Sequence, residues 1–191
     1  MLLAKFLSLI IGPILLWPLT LWLILENAHL NYQQSVILYP TLSFLLIIVP
    51  FSAILLMLRR HAVNDLDLTK REDRYRPLFL VAGCLLLTLP IVYFFGNSFL
   101  FFLFLLFFLL LCLNAFITIF WKISFHMAIN TIFVIFINYF YHWSFVYLII
   151  FLPLIFWSRL TLKKHTVNQL IGALILNGAI TILFLKYVTG L

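Results

Sequence analysis

Long apolar runs broken by short polar clusters fill this chain of 191 residues from one end to the other. A helix that crosses a membrane takes about 20 apolar residues, within a usual range of about 17 to 25. On that scale the pattern predicts spans at 2–25, 35–58, 78–95 and 99–120, a shorter pair at 127–141 and 144–157, and a last span at 170–185. The expected fold class is all-α: a polytopic transmembrane helix bundle of about seven spans, or six plus a re-entrant hairpin. The runs are continuous and lack polar–apolar alternation, which excludes a closed β-barrel. Residues 1–191 therefore read as a single integral membrane domain. The first run reads as a span and not as a cleaved signal, since no small-residue cleavage site follows it. Pro13, Pro18, Pro40, Pro50, Pro90 and Pro153 lie in or near the spans and predict kinks, because neighbouring helices can satisfy the backbone that a proline frees.

The connections alternate in character. Residues 26–34, 96–98 and 141–143 are short and nearly uncharged, whereas the others carry three polar clusters. Counting crossings puts the N-terminus and all three clusters on one side. Treating the short pair as two crossings or as none leaves that parity unchanged. Lys5, Arg59, Arg60, Lys70, Arg71, Arg74, Arg76, Lys122, Arg159, Lys163 and Lys164 fall on that side and only Lys186 on the other. The excess of Lys and Arg in cytoplasmic loops then predicts a protein integral to the cell membrane, with its N-terminus and clusters in the cytoplasm.

Composition closes off other classes. With 66% hydrophobic and 9% charged residues, a chain this short cannot bury its apolar surface in a water-soluble core. The formal charge of +7 has no soluble basic domain through which to bind nucleic acid; the lipid bilayer and its anionic headgroups are the natural partners. Cys84 and Cys112 sit inside apolar stretches without a C-x-x-C spacing and read as small core residues.

The clusters are Lys70-Arg71-Glu72-Asp73-Arg74-Tyr75-Arg76-Pro77, then Lys122-Ile123-Ser124-Phe125-His126, then Ser158-Arg159 with His165 and Gln169. Basic groups, serines and two histidines at one membrane face suit a phosphate-bearing lipid. Phosphoryl chemistry needs cations on the nonbridging oxygens, a nucleophile in line with the leaving oxygen, and an acid to protonate that oxygen. The guanidinium fork of Arg matches two phosphate oxygens and stays charged. Ser124 can add a hydrogen bond, and His126 and His165 can divide the work of nucleophile and acid. Gln169, four residues after His165, shares its face if the helix has begun there, so its amide oxygen can accept from the ring N–H.

Ser158-Arg159, five residues, then His165 resembles the third signature of the type 2 phosphatidic acid phosphatases. Ser124-Phe125-His126 is similar to the second signature, and Lys70 through Arg76-Pro77 to the first. The clusters keep the family's order and span about half of the chain. The resemblance implies a helix bundle with the three clusters at one membrane surface, acting on a phosphorylated lipid or prenyl diphosphate and requiring no metal or other cofactor. It further implies His165 as the phosphate-accepting nucleophile, His126 as the acid for the leaving group, and Lys70, Arg76, Ser124 and Arg159 as phosphate ligands. Five residues separate Lys70 from Arg76 where the family has six, so Lys122 or Arg71 is an alternative first cation. Ile123 and Phe125 replace the proline and glycine of the second signature, and Gln169 stands where the family has aspartate.

Simpler roles account for the other polar residues. Lys5, Arg59 and Arg60 at span ends read as headgroup anchors. Asp65, Asp67, Glu72 and Asp73 read as partners of Arg60, Arg71 or Arg74 that fix their loop. His29 and His142 lie on the opposite side, His61 reads as interfacial, and Lys163 and Lys164 either steer an anionic substrate or snorkel to the interface. Two other functions compete with hydrolysis. Gln169 and Phe125 suit a noncatalytic phospholipid-binding membrane protein with a degenerate site. The acids at 65, 67, 72 and 73 faintly resemble the first aspartate-rich segment of the aromatic prenyltransferases, although a magnesium diphosphate site needs carboxylates converging from more than one place.

Overall fold

Helices account for 81% of residues 1–189, the part of the chain that the computed structural model describes, and no strand occurs among them. Five stretches are long and apolar enough to cross a membrane: Leu2–Glu26, Tyr32–Arg59, Glu72–Phe95, Ser98–Phe120 and Val167–Val188, with mean hydropathies from 1.9 to 2.9. They mark an integral membrane protein. The remaining predicted pair is shorter, Phe125–Phe140 and Val146–Thr161. At 1.5 Å per residue its 16-residue first member spans only about 24 Å.

The chain divides into two compact units. One comprises Met1–Asn27 with residues 121–189, the other Ala28–Phe120. The first unit opens with α1 (Leu2–Ile10) and α2 (Pro13–Glu26), which the sequence reads as one span. Pro13 has no N–H to continue the helix, and the chain breaks at Ile11-Gly12. The unit continues with α7 (Phe125–Phe140), a 3₁₀ turn at Val146–Ile150, α8 (Phe151–Thr161) and α9 (Val167–Thr189). Helix α7 lies at its centre, packed on α2, α8 and α9, while α1 packs on α8. Three polar side chains of α7 and α9 that face the core bond back to their own helix: Thr131 Oγ1, Asn138 Nδ2 and Asn177 Nδ2 donate to the carbonyls of Met127, Val134 and Ala173 at 2.8, 2.9 and 2.9 Å. Gly178 lets α9 approach α7 closely, since a Cβ there would stand 3.3 Å from Thr131 Cγ2.

The second unit holds α3 (Tyr32–Ser43), α4 (Val49–Arg59), α5 (Tyr75–Phe95) and α6 (Ser98–Phe120), with α5 against the other three. A π-helical stretch, Phe44–Ile48, lies between α3 and α4, closed by Val49 N–H donating to the Phe44 carbonyl just ahead of Pro50. Pro18, Pro40 and Pro90 lie inside helices, as expected of kink positions.

Helix ends differ from the predicted span limits where caps, not apolar count, set them. Ser124 caps α7, so His126 belongs to its first turn and not to the preceding connection. Helix α8 runs past the apolar run to Thr161 and carries Ser158 and Arg159, because Arg is a good helix former. Helix α9 starts three residues before the predicted span and thereby takes in Gln169.

Candidate active site

The spacing of Arg159 and His165 follows from the turn between α8 and α9. Lys163 N–H donates to the Leu160 carbonyl at 2.9 Å and Lys164 N–H to the Arg159 carbonyl at 3.0 Å, the paired bonds of a Schellman motif. Lys163 takes the left-handed position with φ 53°, where glycine is usual. The next helix begins at once. Gln169 N–H donates to Thr166 Oγ1 at 3.4 Å and Thr166 N–H to Gln169 Oε1 at 3.1 Å, a reciprocal capping box. Arg159 thus lies in the last turn of one helix and His165 immediately precedes the cap of the next.

The same Gln169 oxygen lies 3.2 Å from His165 Nδ1. A backbone N–H can only donate, so the Gln169 atom facing Thr166 N–H is its carbonyl oxygen, and the bond to His165 requires a proton on Nδ1. Neutral His165 then carries its lone pair on Nε2. That is the nitrogen a nucleophile would use; α9 begins only at Val167, so the capping box, and not the expected shared helix face, brings the Gln169 oxygen to the ring.

Arg159 is 1% exposed, the largest side chain so deeply buried. Its Nη1 donates to Ser8 Oγ at 2.6 Å and stands 3.5 Å from His126 Nε2. The guanidinium cannot accept, so His126 offers it the Nε2 lone pair and keeps the Nδ1 proton when neutral. Ser158 Oγ donates to the Ala4 carbonyl at 2.6 Å, and both groups are buried. Residues of α1 are therefore integral to this cluster.

Ser124 accepts from Met127 N–H at 3.3 Å, which leaves its hydroxyl proton to donate elsewhere. Lys122 Nζ donates to the Lys164 carbonyl at 2.9 Å and ties the start of α7 to the turn before α9. One proton of that ammonium is thus committed to the backbone. Asn130, one turn beyond His126, donates through Nδ2 to the carbonyls of Ile11 and His126 at 2.7 and 2.8 Å. The first of these carbonyls has lost its helical donor at the α1–α2 break, since Leu15 N–H turns to Gly12 instead. Gly12 itself leaves room over the imidazole: a Cβ there would lie 3.4 Å from His126 Nε2.

The electrostatic setting favours an anion. Unit one holds Lys5, Lys122, Arg159, Lys163, Lys164 and Lys186 against a single carboxylate, Glu26, at the far end of α2. Helices α7 and α9 are linked through the antiparallel α8, so their N-termini lie at the same end, and the positive ends of their dipoles add to that field.

Of the expected site residues, His126, His165, Gln169, Lys122, Ser124 and Arg159 all belong to this unit. Lys70 and Arg76 belong to unit two, where both are exposed. Arg71, the alternative first cation, donates to the Ile119 carbonyl at 3.1 Å and pairs with Glu72 at 4.0 Å. Asp73 and Asp65 fold the loop through other partners than the expected cations. Asp73 accepts from the N–H and side-chain amide of Asn64 at 2.9 and 2.7 Å, and Asp65 accepts from Thr69 N–H and Oγ1 at 3.1 and 3.0 Å. Short carboxylates reach nearby backbone in a tight loop more readily than they reach long cations. Arg74 is buried with Nε on the Leu68 carbonyl at 2.9 Å. No three His, Cys, Asp or Glu side chains converge on a common point among the described residues.

Sequence reasoning passed over Ser8, Gly12, Asn130 and Thr166. A signal existed for two of them: Thr166-x-x-Gln169 is a capping-box spacing, and Ser8 sits between Ala4 and Gly12 at four-residue intervals in an otherwise bulky apolar run. In comparisons with protein-family models, curated proteins and solved structures, the chain matched none.

Proposed function

We propose that this chain is a metal-independent membrane phosphatase acting on a lipid phosphate or an isoprenoid diphosphate through a phosphohistidine intermediate. The observation that carries the reading is the Gln169 oxygen held by Thr166 N–H and facing His165 Nδ1, an arrangement that leaves Nε2 as the basic nitrogen. In this reading α7 and the helix over Val146–Thr161 cross the membrane as a short pair, which makes seven crossings. The Lys and Arg bias then sets the cluster at the cytoplasmic face.

The chemistry takes two displacements. Arg159, Ser124 and the N-terminus of α7 hold the nonbridging oxygens of the phosphoryl group. His165 Nε2 attacks phosphorus, a P–N bond forms, and the P–O bond to the leaving group breaks. The electron pair leaves on the ester or diphosphate oxygen, which takes a proton from the His126 imidazolium. Neutral His126 then removes a proton from water as the water oxygen attacks phosphorus. The P–N bond breaks, inorganic phosphate leaves, and both histidines return to their starting states. An alcohol in place of water would give phosphotransfer by the same steps.

One observation favours a noncatalytic phospholipid-binding protein instead: the Thr166–Gln169 capping box explains Gln169 without any chemistry. Phosphate release by purified protein in detergent with EDTA, from phosphatidic acid and from a prenyl diphosphate, separates the two. Release that disappears in His165→Ala, with acid-labile phosphate on the parent protein, supports hydrolysis. Folded parent protein that releases nothing from either substrate supports binding, and release only with Mg²⁺ supports the prenyltransferase-like alternative.

A further inference from the structure

We infer that Ser8 of α1 is a positioning residue for Arg159, so that the first helix of the chain is a working part of the phosphate site; the inference rests on the phosphatase reading above. Arg159 Nη1 is the shared point of two contacts, Ser8 Oγ at 2.6 Å on one side and His126 Nε2 at 3.5 Å on the other. A guanidinium is planar, so a short bond at one nitrogen fixes the direction of the whole fork. Ser8 is 6% exposed, which keeps water from competing for that bond.

The backbone of α1 is built to deliver this hydroxyl. Ala4, Ser8 and Gly12 recur at four-residue intervals and form a small-residue stripe, and α1 packs closely on α8. Ala4 is fully buried there, and its carbonyl receives the Ser158 hydroxyl at 2.6 Å. One helical turn on, Ser8 meets Arg159, the residue after Ser158. At the end of α1, Asn130 holds the Ile11 carbonyl from the turn above His126, and Gly12 abuts the imidazole. Three attachments thus fix the helix in register with both Arg159 and His126. Only the middle one is made by a side chain of α1, and that side chain engages the phosphate-binding cation. Accepting from Arg159 also leaves the Ser8 proton free to point towards a bound phosphoryl oxygen.

The test compares parent, Ser8→Ala, Ser8→Thr and Arg159→Lys, together with the Ser8→Ala/Arg159→Lys double variant. It reads turnover of the preferred lipid phosphate and binding of inorganic phosphate to the detergent-solubilised protein, with thermal unfolding to verify folding. Loss of one buried charge-assisted hydrogen bond predicts a KM and a phosphate Kd raised about tenfold in Ser8→Ala, with kcat changed less. Ser8→Thr keeps the hydroxyl and restores both values, and in the Arg159→Lys background Ser8→Ala adds nothing further. Equal phosphate affinity in parent and Ser8→Ala, or an effect that adds fully to Arg159→Lys, overturns the role of Ser8. A parent that binds phosphate in a Ser8-dependent way but turns over no substrate overturns the phosphatase reading and retains Ser8 as a phosphate-site residue. A parent that neither binds nor turns over overturns both.

Discussion

His165 Nδ1 and Gln169 Oε1 stand 3.2 Å apart across the cap that opens α9, and the same oxygen takes the Thr166 N–H. One side chain therefore both starts the helix and sets the histidine tautomer. The amide does this without charge, so it orients the imidazole but would do little to offset positive charge on the ring if His165 attacked phosphorus as proposed.

Gln169→Asp tests that division. A carboxylate can accept from His165 Nδ1–H and would also counter positive charge developing on the ring. The expected result is a kcat about tenfold higher, equivalent to roughly 1.4 kcal/mol of added transition-state stabilisation. Gln169→Ala loses both duties: about 1 kcal/mol of stability from the cap and at least tenfold in kcat. Steady-state phosphate release with thermal unfolding separates the two effects. A Gln169→Ala protein that unfolds earlier but turns over normally would reduce Gln169 to a helix cap.

One guanidinium nitrogen of Arg159, Nη1, reaches both Ser8 and His126. Lysine at this position keeps the charge but loses the rigid planar group that fixes the direction of that nitrogen, so charge alone should not replace it. Arg159→Lys is expected to lower kcat/KM about hundredfold, the range seen when a preorganised donor to transition-state charge is removed. The measurement is kcat/KM on a lipid phosphate in folded protein. A drop below threefold would place Arg159 outside the reacting centre.

The membrane class, five long apolar helices and the residues of the second and third clusters were legible in the sequence, because lipid imposes long uninterrupted apolar runs and leaves polar chemistry at their ends. The finer joints were not. Hydropathy runs straight through Ile11-Gly12, where a proline and a carbonyl captured by Asn130 break the first span into two helices. It also stops short of Arg159 and His126: Arg is a good helix former and stays in α8, and the Ser124 cap draws His126 into α7. The small-residue spacing of Ala4, Ser8 and Gly12 marks a packing face, but nothing in it pairs Ser8 with Arg159, 151 positions away; only the packing of α1 on α8 brings the two together.

Two glycines of unit one should respond unequally to an added methyl. At Gly12 a Cβ would run into the backbone carbonyl oxygen of Ser8, which cannot retreat without moving α1. Gly12→Ala should cost about 1–3 kcal/mol and lower activity with it, since Ser8 and the space beside His126 shift together. At Gly172 the methyl would meet the Trp121 ring at 2.7 and 2.8 Å. That ring is 39% exposed and can swing aside, while alanine gains about 1 kcal/mol in helix propensity, so Gly172→Ala should be close to neutral. Thermal unfolding of the two variants in one detergent reads the contrast, and similar losses at both positions would contradict it.

Lys163 holds a left-handed backbone at φ 53°, in the turn that sets the distance from Arg159 to His165. For a residue with a Cβ this conformation costs about 1–2 kcal/mol, and glycine avoids the cost while losing part of the gain to a freer unfolded chain. Lys163→Gly should therefore raise stability by about 0.5–1 kcal/mol, whereas the β-branched Lys163→Val should lower it by more than that. The same pair reads what the lysine charge does. If Lys163 only snorkels to the interface, the glycine variant unfolds later with its KM unchanged; if it draws an anionic substrate to the cluster, KM rises in both variants although their stabilities move in opposite directions. Unfolding temperature and KM measured on the same preparations distinguish these outcomes, and a glycine variant that is less stable than the parent would show that the Schellman turn needs the lysine side chain itself.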